Sequence, residues 1–200
     1  MVINISNYNE YQIIKLFNRF VILRLRKFGI QILGIIDLKE KHNFGCMKTV
    51  KKVLIDSAFS KADVLCLGMG LGMTSYLNLP LNVTYVEPSK DVIEIASQFK
   101  AFDSVLNMTA EKYLSSKSKK KYDVIFYDIF IDNKVYYGAL DFVKIREFLK
   151  DDGILLINTI DTKRGINNIA NVNKKVLFSF PKISFLPLNA IIVINKKDLF

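Results

Sequence analysis

Residues 62–87, ADVLCLGMGLGMTSYLNLPLNVTYVE, constrain this chain more than any other stretch. An apolar run, a glycine turn, a helix start and a second apolar run ending in an acid follow one another within that short span. The run 64–67 has the length and composition of a strand covered on both faces. Gly68, Gly70 and Gly72 then let the backbone turn sharply where a side chain would obstruct a ligand or the next helix. Thr74 and Ser75 open the helix expected after the turn, whose first amides are unpaired and carry partial positive charge. The second strand, 83–86, delivers Glu87 to a position from which a carboxylate accepts both hydroxyls of a ribose. A glycine turn alone is a weak signal, but with an acid about 20 residues on, at the end of the next strand, it points to an adenosine-containing ligand. The competing reading is that the glycines serve only tight packing, which makes Glu87 a coincidence. Met73 stands where a dinucleotide site carries its third glycine, and this argues against a nicotinamide cofactor.

From residue 63 onward apolar runs alternate with helical patterns, the signature of parallel strands joined by crossover helices. Strands are expected at 64–67, 83–86, 104–106, 124–127 and 154–158, with helices beginning near Thr74, Ser89, Ala110 and Leu140. Residues 163–172 are polar and read as partly helical. Two late runs, 176–180 and 190–194, are joined through Pro181 and Pro187 without an apolar helix, so they form an antiparallel hairpin and make the sheet mixed. Upstream, residues 10–37 alternate apolar and polar over Leu23 to Arg26 and again over Ile30 to Ile32, with Lys27, Phe28 and Gly29 between. That pattern suggests a β-hairpin, with a basic amphipathic helix as its rival. A polar connection over 39–44 leads to a helix around 48–59. The resulting division is an N-terminal β-hairpin appendage over 1–45 and an α/β domain over 46–200.

Composition narrows the function classes. Two hundred residues bury about 70% of the unfolded chain's surface, enough for one α/β domain and a small appendage. No run of about 20 apolar residues is free of charge, and no small-residue cleavage site follows a short apolar block, so the expectation is a cytoplasmic protein without a membrane span. Cys46 and Cys66 are too few for a disulfide framework, and with His42 as the one histidine there is no cluster of metal-ligand spacing. The net charge of +10 raises encounter with polyanions. Its densest run, 117–121, reads as a solvated loop without interleaved aromatics for base stacking, so a nucleic-acid partner is compatible with the charge but has no dedicated groove.

A second constellation lies at 121–133, KYDVIFYDIFIDN, where a strand ends in Asp128 and continues into a loop carrying Asp132. Asp128 emerges over the ligand, where a carboxylate can take a proton from a nucleophile, hold a cationic amine or orient a charged end. Asp132 reads as solvated. In an open sheet of this kind ligands sit beyond the strand carboxyl ends, where Gly68, Glu87, Thr109 and Asp128 gather.

With VLCLGMGLGMTS (64–75), YVEPSKDVIEIASQF (85–99), MTAEKYL (108–114), YDVIFYD (122–128) and DDGILLIN (151–158) in place, the chain resembles class I S-adenosylmethionine-dependent methyltransferases, and among them the spermidine synthase-like branch. The resemblance implies a Rossmann-like, mixed seven-stranded sheet preceded by the short β-hairpin. It implies that Gly68, Gly70 and Gly72 line the methionine and ribose part of S-adenosylmethionine, or of its decarboxylated form, that Glu87 binds the ribose hydroxyls, and that Thr109 and Ala110 stand where the family receives the adenine. Asp128 takes the place of the family's acid after strand four. The N-terminal hairpin is similar to the segment that shapes the acceptor site and often the dimer contact in spermidine synthases, so a homodimer through it is implied. Departures favour one chemistry over another. Polyamine-forming members carry an aspartate in the glycine turn, whereas Met69 and Leu71 fill the variable positions here; Thr109 replaces the acid before Ala110, with Glu111 as an alternative; and the proline after the second acid is missing. Methyl transfer to an unidentified small-molecule acceptor is therefore the leading expectation. Aminopropyl transfer to an amine and a non-catalytic binding module are the alternatives.

Overall fold

A computed structural model of the chain describes residues 11–16, 20–25, 31–37, 46–118, 120–131, 134–136, 138–159, 172–179 and 189–199. The N-terminal part is larger than the expected hairpin. Strands β1 (Tyr11–Leu16), β2 (Phe20–Leu25) and β3 (Gln31–Asp37) form a three-stranded antiparallel sheet of their own. The pair β2–β3 is the hairpin read from the alternation, with an irregularity between Leu23 and Arg24, and β1 adds a third strand to it. Residues 27–29, expected as its turn, lie outside the described residues, as do His42 and the segment 163–171.

Helix α1 (Cys46–Asp56) opens the main body; its buried residues Met47, Val50 and Leu54 recur at helical spacing. Strands β4 (Asp63–Leu67), β5 (Asn82–Val86), β6 (Val105–Leu106), β7 (Tyr122–Tyr127), β10 (Leu149–Thr159), β11 (Lys175–Ser179) and β12 (Asn189–Asn195) build one sheet. Its order is β11-β12-β10-β7-β4-β5-β6. The neighbours from β6 to β10 pair in parallel, while β12 runs antiparallel to both β10 and β11. The mixed seven-stranded sheet with its late hairpin is thus the one expected. A small antiparallel pair, β8 (Phe130–Ile131) and β9 (Lys134–Val135), follows β7, and Asp132 falls between them outside the described residues.

Two apolar layers clamp the sheet, and strand alternation decides which residue joins which layer. Val64, Cys66, Tyr85, Val124, Phe126 and Leu156 face α1. Leu65, Leu67, Val86, Ile125, Tyr127 and Leu155 face α3 (Ala110–Leu114) and α4 (Phe142–Phe148). The central strands are apolar throughout because both faces are covered. Three helix starts have a side-chain cap: Ser89 for α2 (Lys90–Ser97), Thr109 for α3 and Asp141 for α4. No helix among the described residues is long and apolar enough to cross a membrane.

One expected element is different. The helix anticipated from Thr74 is only a single 3-10 turn, Met73–Tyr76, entered from a left-handed Gly72. The connection 68–81 contains Asn78, itself at φ +52°, and then Pro80, so there is neither length nor composition to propagate an α-helix before β5 begins.

Candidate functional site

From β4 the chain moves outward through β5 and β6, then returns to the other side of β4 through β7 and β10. The chain order reverses between β4 and β7, and in open sheets the carboxyl ends of the strands at such a reversal are where ligands bind. Three residues that follow these strands extend the ladder by one step. The Gly68 amide donates to Val86 at 3.0 Å, the Glu87 amide to Leu106 at 3.0 Å and the Asp128 amide to Leu67 at 2.9 Å. Glu87, Gly68 and Asp128 consequently stand side by side along one edge, as expected from their strand positions.

The glycines have a steric role. Gly68, Gly70 and Gly72 all have positive φ, at 91°, 51° and 67°. A methyl group on Gly68 would come within 2.4 Å of the Asp128 carbonyl oxygen, so the turn and the post-β7 backbone approach as closely as glycine allows. The side chains between the glycines are turned into the protein: Met69 and Leu71 are both buried, Met69 among the residues on the α1 face.

Glu87 is buried and accepts two backbone amides. Met69 N–H donates to Oε2 at 3.1 Å and Ser89 N–H to Oε1 at 2.9 Å. The carboxylate therefore staples the glycine turn to the loop after β5. Burial raises its pKa above the ordinary carboxylate value, with the two amides pulling the other way. A carboxylate has about four acceptor positions, so each oxygen retains one after these bonds.

Asp128 is partly buried, and burial raises its pKa to about 6, against the pull of one hydrogen bond. That bond comes from Asn158, whose Nδ2 donates to Asp128 Oδ1 at 2.8 Å. Among the described residues no lysine or arginine forms an ion pair with Glu87 or Asp128.

Asn158 was not singled out by the sequence reading. Its signal is a lone amide closing the apolar run 154–157 at the carboxyl end of β10, where a buried polar side chain must find a partner. Asn107 was missed as well; its Nδ2 donates to the backbone oxygens of Glu87 and Pro88 at 3.0 and 2.9 Å and ties the β6 end to the β5 end. Thr109 is exposed, and its hydroxyl accepts the Lys112 amide at 3.2 Å as the α3 cap. Ala110 is buried in the apolar layer that also holds Tyr113 and Leu114.

No protein-family model matches the chain, and no curated protein matches it in sequence. Solved structures do match its shape. A probable spermidine synthase from Corynebacterium glutamicum superposes with a TM-score of 0.69 at 15% identity, over 95% of this chain and 78% of that one. The spermidine synthase from Thermotoga maritima gives 0.60 at 17% identity, over 96% and 76%. An rRNA methylase from Streptococcus thermophilus gives 0.55 at 13% identity, covering 95% of its own chain but 74% of this one. The fold is that of class I S-adenosylmethionine-dependent methyltransferases, in its spermidine synthase-like form. The larger share of this chain matched by the two spermidine synthases is what favours that form over the plain methylase body.

Proposed function

We propose that this class I methyltransferase-like protein binds S-adenosylmethionine at the carboxyl edge of its sheet and transfers the methyl group to a small-molecule acceptor. The observation that carries the reading is Glu87. A buried carboxylate that holds the glycine turn by one amide, and keeps an acceptor position free on each oxygen, suits the paired hydroxyls of a ribose. The absence of a Cβ on Gly68 lets the Asp128 backbone close against the turn, which brings the Asp128 and Glu87 ends of the sheet to the same edge. Glu87 and the glycine turn would hold the nucleoside and methionine parts, with the start of α3 at Thr109 and Ala110 beside the base. When bound, S-adenosylmethionine supplies an electrophilic methyl carbon on a sulfonium.

The chain's own contribution is alignment and proton removal. Holding the acceptor at near-attack distance accounts for several kcal/mol of barrier. Asp128, with a pKa of about 6, is ionised at neutral pH yet close enough to it to accept a proton from an acceptor hydroxyl or ammonium. Asn158 occupies Oδ1, which leaves Oδ2 for that proton. The absence of a cation from both carboxylates, among the described residues, also suits a positively charged ligand.

Aminopropyl transfer from decarboxylated S-adenosylmethionine to an amine is the second reading, favoured by the extent of the spermidine synthase superposition. Against it, the turn offers Met69 and Leu71, both buried and neither acidic, so no turn carboxylate awaits an aminopropyl ammonium. Calorimetric titration of the full chain with each cofactor, repeated with Glu87→Ala, tests both. The expected result is ~µM binding of S-adenosylmethionine, weakened at least about tenfold by the substitution, equivalent to ~1.4 kcal/mol. Tighter binding of the decarboxylated form would replace methyl by aminopropyl transfer. Binding of neither form, with salt-dependent binding of RNA, would replace both by a non-catalytic module.

A further inference from the structure

The glycine turn leads into a single 3-10 winding and not a full helix, and the space below it is filled from a neighbouring strand. Tyr85, on β5, is 1% exposed and projects beneath the 3-10 turn. Its hydroxyl donates to the Gly72 carbonyl at 3.1 Å and accepts the Ser75 amide at 3.0 Å. It also contacts Ser75 Oγ at 2.7 Å; with the single phenolic proton committed to Gly72, the serine hydroxyl is the donor there. The Ser75 amide is shared with the Gly72 carbonyl, also at 3.0 Å, so Tyr85 meets the first hydrogen bond of the turn at both of its ends.

Two further residues hold the same unit from outside. Phe102 packs edge-on against the Tyr85 ring, with centroids 5.4 Å apart, and its ring lies where a Cβ on Gly72 would stand. Lys100 Nζ donates to the Ser75 carbonyl at 2.5 Å and lies over the Tyr76 ring, 5.2 Å from its centroid. The turn is therefore fixed by side chains from β5 and the segment after α2, where a longer helix would have used its own backbone ladder.

We infer that Tyr85 is a positioning residue for cofactor binding: its hydroxyl sets the Gly72–Ser75 turn, and through it the glycine backbone, in the geometry that receives the ligand. Tyr85 touches the turn and not the ligand. Its effect is preorganisation, which lowers the ordering cost of binding. This inference rests on the cofactor reading above, and one arm of its test stands apart from that reading.

The test uses the full chain with Tyr85→Phe, which keeps the ring against Phe102 and removes only the hydroxyl, and with Ser75→Ala, which removes the partner hydroxyl from the turn side. Hydrogen exchange of the free protein is expected to quicken about tenfold at residues 72–76 in Tyr85→Phe, less in Ser75→Ala, with β4 and β5 unchanged. Calorimetry with S-adenosylhomocysteine is expected to show affinity about tenfold weaker in Tyr85→Phe at a nearly unchanged melting temperature. Wild-type exchange at 72–76 in both variants would overturn the inference. So would exchange raised equally through the strands, since Tyr85 would then be a core residue and nothing more. If the wild-type protein binds no adenosyl ligand while exchange still quickens only at the turn, the cofactor reading falls and the clamp remains as a structural brace, which also overturns the positioning role.

Discussion

Strand β7 carries one aspartate near its start and is followed by another, and the two have opposite surroundings. At the amino end, Asp123 Oδ2 lies 2.9 Å from Lys150 Nζ, which makes a second bond of 2.9 Å to Asp63 Oδ2. Asp123 also accepts the Asp63 amide at 2.8 Å, and Asn82 donates to Asp63 Oδ1 at 3.1 Å. The cluster stitches the starts of β4, β5, β7 and β10 together, with its lysine 43% exposed to solvent. Lys150 is the main cause of the lowered Asp63 pKa. At the carboxyl end, Asp128 has an uncharged amide for a partner, and burial pushes its pKa the other way. The same sheet thus neutralises the acids at one end, where they stabilise the fold, and leaves them without a cation among the described residues at the other. A carboxylate kept in that second condition costs stability, which is the condition the proposed binding edge calls for.

Substitutions break this contrast with graded effect. The largest change is expected at Gly68, whose φ of 91° and 2.4 Å approach to Asp128 admit no methyl group. Gly68→Ala should lower stability by about 3 kcal/mol in urea melts, because both the backbone conformation and the contact are strained. Next comes Asp128→Asn, which should stabilise the free protein by ~1–2 kcal/mol at pH 7.5. The sign follows from linkage: an aspartate whose folded pKa is raised binds more protons folded than unfolded, so wild-type stability falls as pH rises from about 4 to 6. Thermal melts across that range should show the gain opening with pH and vanishing near pH 4. The smallest effect belongs to Lys150→Met, a loss below about 1 kcal/mol at pH 7 because the pair is partly solvated and screened. Here the sign reverses. Asp63 has a lowered folded pKa, so the lysine's contribution is present above about pH 4 and fades in more acidic solution. If Asp128→Asn and Lys150→Met shifted stability in the same direction at pH 7.5, the two ends of the sheet would not differ as described.

Local chemistry made much of this legible in advance. The apolar runs at 64–67, 124–127 and 154–158 marked strands covered on both faces, and the acid closing the next strand stands beside the glycine turn as its position indicated. What escaped was set by tertiary partners. Thr74 and Ser75 looked like a helix start, yet the turn ends after one 3-10 winding, since Asn78 and Pro80 leave no room before β5. Tyr85 read as an ordinary β-strand residue; only the fold shows its hydroxyl beneath Gly72. Asn158 was hidden as the last letter of an apolar strand, because its meaning comes from Asp128, which lies 30 residues away in sequence and next to it in space. Thr109 proved in addition to be the cap of α3, a role that depends on where the helix begins.

Cys66 gives the site an internal clock. Its thiol is buried beneath the 3-10 turn, donates to Thr74 Oγ1 at 3.2 Å, and is pushed by burial to a pKa of about 12. Only a thiolate attacks a disulfide reagent at useful speed, so while the turn is closed this sulfur is silent. Its labelling rate therefore counts how often the turn lifts away from the sheet, and a ligand that seats the glycine loop should slow that count without ever touching the sulfur.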